Sequence, residues 1–335
     1  MSHINDIHSI EEAILSVLKE FGARAELCVA GRSSLSASQI IDMVHAATVT
    51  RQLCGVDEEA LVRSLLHILV GLVVSRPLED PGQASTLLSA CSAEQLTRLL
   101  YAMAVHRISE DMVHCIFIVN IITITMTLLA YIQIISPSLA IISSQFDGLS
   151  CGDGITLLWS FSRLGIVDCV LVTRTVNCIS RCLEEALRLD QSGVLSDQDC
   201  LHLSESIEYL FRKFTRDLIS SSYFGGRNAD DLLIITDTLS TLTDLSHLFM
   251  KTFLLRETSN GYALPVFTYI SFLRALSPIP VQPLWQQTAV DAVSSMHTTL
   301  SSAVASRSLS VEESCALLEA CAYGISSDEM LVYFA

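Results

Sequence analysis

Basic residues are few in this chain, and their scarcity limits what the protein can bind. Lys and Arg number 20 against 36 Asp and Glu, so the formal net charge is −16 at pH 7. Non-specific affinity for nucleic acid comes from Lys and Arg that displace counterions from phosphates. This charge balance excludes a protein whose whole surface attracts RNA, and any RNA contact must be confined to a local basic patch.

Sequence motifs of catalysis and metal binding are also missing. The chain contains no G-x-x-x-x-G-K-[S/T], no H-E-x-x-H and no G-x-S-x-G motif, and its 11 cysteines include no C-x-x-C pair. A chain without these spacings is not expected to assemble a phosphate-binding loop, a zinc site or an activated nucleophile. We therefore predict that the protein is not an enzyme and has neither a cofactor nor a metal.

The cysteines and the first residues bear on the compartment. Scattered cysteines are typical of free thiols in a reducing compartment. Cys178 and Cys182 lie four residues apart on a predicted helix and are expected to pack as small hydrophobic residues. Residues 1–22 are acidic, with neither a secretory signal peptide nor the Arg-rich composition of a mitochondrial presequence. Import through another signal and a cytosolic location both remain open.

Hydrophobic residues are abundant, at 50% of the chain against 17% charged, so we expect a folded protein with a sizeable core. Five segments share one pattern. Each begins with a small or polar residue suited to a helix N-cap, has acidic or amide groups in its first turn and continues with apolar residues at helical spacing. The five are SASQIIDMVHAATVTRQL from Ser36, SAEQLTRLLYAMAVHRI from Ser92, CGDGITLLWSFSRLGI from Cys151, NADDLLIITDTLSTL from Asn228 and SVEESCALLEACAYGI from Ser310.

A second amphipathic helix follows three of these segments after a short predicted turn. These second helices are DEEALVRSLLHILVGLVV from Asp57, VLVTRTVNCISRCLEEALRL from Val170 and DLSHLFMKTFLL from Asp244. A sixth, weaker unit starts at Leu264. Since a helical hairpin cannot bury its apolar face alone, the pattern predicts an all-α fold in which about six hairpins stack as a repeat array, an α-solenoid. Irregular spacing between the units keeps a nonrepetitive helical bundle as the alternative.

The segment LLWSFSRLGIVDCVLV, with LLYAMAVHRISEDMV and LLEACAYGISSDEMLV, resembles the octotricopeptide and heptatricopeptide helical repeats of organellar proteins. The best match to that repeat is formed by Leu157, Leu158, Trp159, Ser160, Phe161, Leu164, Gly165 and Asp168. The resemblance implies a mitochondrial or plastid protein that binds or organises RNA. This chain lacks the RAP domain with which the family often ends, and it is acidic where the RNA-binding members are usually basic. Both departures favour a scaffold over a direct reader of RNA.

One uncharged run interrupts the pattern between residues 112 and 146, where no Asp, Glu, Lys or Arg occurs. Its central part is long enough to cross a hydrocarbon core of about 30 Å. Asn120, Gln133, Pro137 and several Thr and Ser residues argue against a membrane span. We expect a buried hairpin or an insertion, and a membrane span is the less favoured alternative.

Six basic residues are the candidate binding site for RNA or a protein partner. Arg174, Arg181 and Arg188 are spaced seven apart and follow one face of a predicted helix over roughly 20 Å. Arg212, Lys213 and Arg216 lie on the next predicted helix and would extend the same patch if the two helices were adjacent. The alternative is an ordinary solvated surface, neutralised by the nearby glutamates Glu184, Glu185 and Glu208.

The sequence predicts four regions: a helical cap in residues 1–35, helical repeats in 36–111, the apolar insertion in 112–147 and further repeats in 148–335. The predicted function is a noncatalytic scaffold in a mitochondrial RNA–protein assembly, with the mitoribosome as the leading setting. The partners would be proteins of that assembly, with RNA contacted through the local basic patch. The alternatives are a direct RNA-binding repeat protein, a membrane-associated subunit of an organellar complex and a cytoplasmic adaptor.

Overall fold

The computed structural model describes residues 14, 16–27, 35–54, 59–74, 88–106, 134–191, 193–224, 229–260, 268–271 and 275. Every regular element in these ranges is helical and none is a strand, which confirms the predicted all-α class. The helices are α1 (Ala37–Cys54), α2 (Glu59–Val74), α3 (Ala93–Val105), α4 (Cys151–Leu164), α5 (Cys169–Arg188), α6 (Asp197–Phe224) and α7 (Ala229–Asn260). Residues 16–27 and 134–144 are also helical.

The chain divides into two compact units, Met1–Gly148 and Leu149–Ala335. In the first unit, α1 packs against α2 as a hairpin and against α3 as a neighbour. The core of this unit contains Ile40, Ile41 and Leu99, all fully buried. Helices α1 and α3 therefore pack directly on each other although α2 lies between them in the chain. The first helices of successive hairpins would pack in this way.

The second unit contains two hairpins, α4 with α5 and α6 with α7, that pack side by side. The first helices pack on each other, α4 on α6, and the second helices likewise, α5 on α7. Helices α5 and α6 follow each other in the chain yet make only marginal contact among the described residues. In an up-and-down bundle, consecutive helices would all be neighbours. The observed pairing is instead that of two stacked hairpins.

The first helices α1, α3, α4 and α6 begin with the same reciprocal capping box. In each box a serine side chain accepts a hydrogen bond from the backbone N–H three residues on, and the Gln or Asp at that position accepts one from the backbone N–H of the serine. The pairs are Ser36 with Gln39, Ser92 with Gln95, Ser150 with Asp153 and Ser196 with Asp199. This exchange satisfies N–H groups that helix geometry leaves without a partner and fixes where each helix begins.

Side chains at equivalent positions of these helices meet across the helix pairs. Nine residues after their capping serines, the rings of His45 and Tyr101 pack edge to face with centroids 6.4 Å apart. At the same position of the other two first helices, α4 and α6, Trp159 Nε1 donates to Glu205 Oε2 at 2.7 Å. Within each unit, successive first helices are therefore packed in register.

The predicted hairpin from Asn228 is wrong, because α7 runs without interruption through the expected turn before Asp244. Six of its Ser and Thr hydroxyls bond to backbone carbonyls one helical turn back. These residues are Thr236, Thr238, Thr241, Thr243, Ser246 and Thr252. Such bonds satisfy the hydroxyls inside a helix, and no Gly or Pro is present to end it. The true partner of α7 is α6, which was not predicted as the first helix of a hairpin.

The apolar run 112–146 is described only from residue 134, where a helix of residues 134–144 buries Ile134, Ile135 and Ile142. Among the described residues, no helix has both the length and the hydropathy required to cross a bilayer. The predicted unit from Ser310 lies outside the described residues, as does most of the unit from Leu264. Within the latter, Thr268 to Ser271 are helical and buried.

Candidate functional site

The structure places the six predicted basic residues on two separate surfaces. Arg174, Arg181 and Arg188 are exposed on α5, a second helix, whereas Arg212, Lys213 and Arg216 lie on α6, a first helix. Because α5 and α6 make only marginal contact and pack in different layers of the second unit, the two triads do not join. The single basic patch expected from adjacent helices is therefore not formed.

The surface on α5 has the features of an ordinary solvated helix face. Arg181, Glu184, Glu185 and Arg188 line a shallow depression there. Arg188 Nη2 donates to Glu185 Oε1 at 2.6 Å, and both side chains are more than half exposed. Exposed ion pairs of this kind contribute at most about 1 kcal/mol and are screened by salt. This face matches the solvated, partly neutralised helix surface that was the alternative interpretation.

The surface on α6 is one wall of a groove of about 540 Å³, which we call the α4–α6 groove. The opposite wall includes Arg163 of α4, which the sequence analysis missed. No local pattern connects Arg163 to a segment more than forty residues away, and only the packing of α4 on α6 does so. The groove is lined by Ser162, Arg163, Glu205, Glu208, Tyr209, Arg212, Lys213, Arg216 and Ser271.

A polar cluster at one end of the groove, the Trp159 cluster, consists of Trp159, Arg163, His202 and Glu205. The indole ring stacks on His202, with centroids 4.4 Å apart and planes 26° apart. The guanidinium carbon of Arg163 lies 5.3 Å from the Trp159 ring centroid. Glu205 Oε2 accepts hydrogen bonds from Trp159 Nε1 at 2.7 Å and Arg163 Nη2 at 2.8 Å. These contacts hold the Arg163 guanidinium at the groove wall.

His202 is the titratable group that this cluster perturbs most. Burial lowers the pKa of His202 from 6.5 to about 4, while the nearby carboxylates of Glu205 and Asp199 oppose that shift and Arg163 adds to it. The Nε2 atom of His202 lies 2.6 Å from Gln198 Nε2, in hydrogen-bond contact. A neutral imidazole therefore stacks on Trp159 at neutral pH.

We expect acid to destabilise the second unit through His202. The unfolded chain takes up a proton near pH 6.5 but the folded chain only near pH 4, so stability falls as pH drops through this window. The loss between about pH 7 and about pH 5 should be on the order of 2 kcal/mol. Urea unfolding of the wild type and of His202→Gln, which stays neutral, measures it. Equal pH dependence in both proteins would show that His202 titrates normally.

Ion pairs hold most of the remaining cationic side chains of the groove in position. Arg212 lies 3.4 Å from Glu208, and Lys213 Nζ lies 2.9 Å from Asp217 Oδ1, each one turn away on α6. Arg216 is exposed and has no ion-pair partner among the residues that the structure describes. The groove thus combines cations that are held in position with one that is open to a ligand.

Three cysteines of the second unit lie close together, Cys151 at the start of α4 with Cys178 and Cys182 of α5. Cys178 is buried, as predicted, while Cys182 is only half-buried. Burial raises the pKa of the Cys151 thiol, and the neighbouring Cys182 raises it further. A raised pKa keeps this thiol protonated and unreactive at neutral pH. In the described part of the chain, no group of three or more His, Cys, Asp or Glu side chains is arranged to hold a metal ion.

Comparison of the chain with protein-family models, with curated proteins and with solved structures finds no match. The resemblance to octotricopeptide and heptatricopeptide repeats therefore stays a prediction from the sequence.

Proposed function

We propose that the protein is a noncatalytic helical-repeat scaffold, an α-solenoid whose hairpins together display surfaces for partner proteins. The observation that carries this proposal is the contact between equivalent positions of successive first helices, His45 with Tyr101 and Trp159 with Glu205. Contacts of this kind are expected where one structural unit recurs and each copy covers the apolar face of its neighbour. The shared capping boxes support the same interpretation.

The chemistry of the polar side chains favours binding over catalysis. Glu205 and Trp159 are engaged with each other, and His202, with a pKa of about 4, is a weak base at neutral pH. A general base works best with a pKa near the working pH. The Trp159 cluster is thus better suited to holding the groove wall in shape than to catalysis.

The setting we propose is a mitochondrial RNA–protein assembly, with the mitoribosome as the leading case. This part of the proposal is supported by the sequence resemblance alone. The net charge of −16 supports attachment through proteins, because a polyanion such as RNA is repelled by most of such a surface. Direct RNA binding in organellar RNA processing is the alternative, and a cytoplasmic adaptor role is a further one.

Gradient sedimentation of the tagged full chain from its native cells tests this function. We expect the chain to sediment with a large RNA–protein particle and to keep its protein neighbours after brief ribonuclease treatment, because its contacts are with proteins. Free sedimentation of the chain at its own mass of 36.7 kDa would contradict the scaffold proposal. Release of every neighbour by ribonuclease would favour the RNA-binding alternative.

A further inference from the structure

We propose that the α4–α6 groove binds an acidic, carboxylate-rich segment of a partner protein. The inference rests on the proposed scaffold function and names the partner chemistry of one of its surfaces. The groove carries a local excess of positive charge. Four cationic side chains and two glutamates line the groove, and Asp217 pairs with Lys213 from beside it, which leaves an excess of one positive charge in a chain of net charge −16. A concave cationic site on an acidic surface concentrates carboxylates there and repels them elsewhere.

Arg163 is already held in place at the groove wall. Its guanidinium lies over the Trp159 ring and donates to Glu205 Oε2 at 2.8 Å, so a ligand need not order this long side chain. The Arg163 side chain is still 43% exposed, which leaves part of its planar donor set open to the groove. A guanidinium matches a carboxylate with two parallel hydrogen bonds, and prior ordering lowers the entropy cost of binding.

Among the described helices, the groove continues along α6 past the end of α4. Leu164 and Leu210 are equivalent positions of α4 and α6, but α4 stops at Leu164, where Gly165 adopts a left-handed φ of 67°. Helix α6 continues to Phe224, about 20 Å further at 1.5 Å per residue. Arg212, Lys213 and Arg216 lie on this extension, past the end of α4. The part of α6 that lines the groove, from Glu205 to Arg216, is about 16 Å long at 1.5 Å per residue, and an extended segment of roughly five residues spans it at about 3.3 Å per residue.

The side chains favour a protein segment over RNA. Single-stranded RNA is commonly held by aromatic rings on which bases stack. The Trp159 ring is not available for this role, because His202 stacks on it, Arg163 lies over it and only 7% of the residue is exposed. Among the described residues of the groove, Tyr209 is the aromatic residue that is exposed, and its single ring offers a stacking surface for one base and not for a run of bases.

Fluorescence anisotropy with a fluorescein-labelled hexaglutamate peptide and the purified full chain tests the proposal. The groove variant is Arg163→Gln with Arg216→Gln, and the matched control is Arg181→Gln with Arg188→Gln, which removes two charges from α5. We expect the groove variant to bind at least tenfold more weakly and the control to stay within twofold, because a charge-assisted hydrogen bond is worth roughly tenfold or more in affinity. Raising the salt concentration should weaken wild-type binding.

Three results would overturn the proposal: no saturable peptide binding by the wild type, equal losses in both double variants, or tighter binding of a labelled oligouridylate than of the peptide. A fourth result would also overturn it: a wild-type chain that sediments as a dimer without peptide, while the groove variant sediments as a monomer, would assign the groove to a second copy. Arg216→Gln alone keeps the test valid if Arg163→Gln disturbs folding, because Arg216 is exposed and the variant should still lose several-fold in affinity. Sedimentation with a large particle but no peptide binding would reject the groove and leave the scaffold function standing.

Discussion

Replacing Leu158 with Ala should lower the free energy of unfolding by about 2 to 5 kcal/mol, the usual cost of truncating a buried leucine. Leu158 is fully buried on α4, the helix that packs against both α5 and α6. Because α4 contributes to the packing of both hairpins, we expect the loss to spread to the neighbouring hairpin. Urea unfolding followed by circular dichroism gives the free energy, and amide hydrogen exchange in α6 shows whether the neighbour is affected.

Leu233→Ala is the matched control for this experiment. Leu233 lies on α7 and is 69% exposed, so the same truncation there should change stability by less than about 0.5 kcal/mol. If the two variants unfold alike, Leu158 is not a core residue. If Leu158→Ala is destabilised but exchange in α6 is unchanged, the hairpins do not share a cooperative core.

The second large effect is expected at the ion pair between Asp197 and Arg256. Arg256 donates to Asp197 Oδ1 and to Cys200 Sγ, and it joins the start of α6 to a late turn of α7. The Arg256 side chain is 10% exposed, whereas Asp197 is 42% exposed. Asp197→Asn would leave a buried cation without its carboxylate. We expect a loss of about 2 to 3 kcal/mol, below the usual range for a buried pair because Asp197 is partly solvated.

Urea unfolding of two further variants makes this prediction specific. Asp237→Asn removes an exposed carboxylate from α7 and should be nearly neutral. Combining Asp197→Asn with Arg256→Met removes both charges and should recover part of the lost stability, since an apolar side chain can replace a buried ion. A double variant less stable than Asp197→Asn would mean that Arg256 stabilises through packing and not through its charge.

Local signals in the sequence predicted much of the helical architecture. The helix predicted from Val170 to Leu189 is found at Cys169–Arg188, and the serine caps at Ser36 and Ser92 were recognisable from their own neighbours. Capping is set within one turn of chain, so it can be read without knowing the fold. The predicted start at Cys151 was one residue late, because Ser150 is the cap.

The groove could not be predicted for a physical reason. Arg163 and Glu205 are far apart in sequence and meet only because α4 packs in register on α6. Equivalent positions lie at equal distances from each capping serine, and the irregular spacing of the units hides this register in the sequence. The continuity of α7 could not be predicted for a different reason. Its Thr and Ser hydroxyls can stabilise either a turn or a helix. Local chemistry alone does not choose between the two.

The central claim, that successive hairpins stack in register, is tested most directly by a double-mutant cycle between Trp159 and Glu205. Trp159→Phe removes the indole N–H and keeps an aromatic ring, while Glu205→Gln removes the charge and keeps the shape. These residues occupy equivalent positions and share a 2.7 Å hydrogen bond. The account predicts that the free energies of unfolding are non-additive by about 0.5 to 3 kcal/mol, as for residues in contact. Additivity within experimental error would contradict the in-register stacking of α4 on α6.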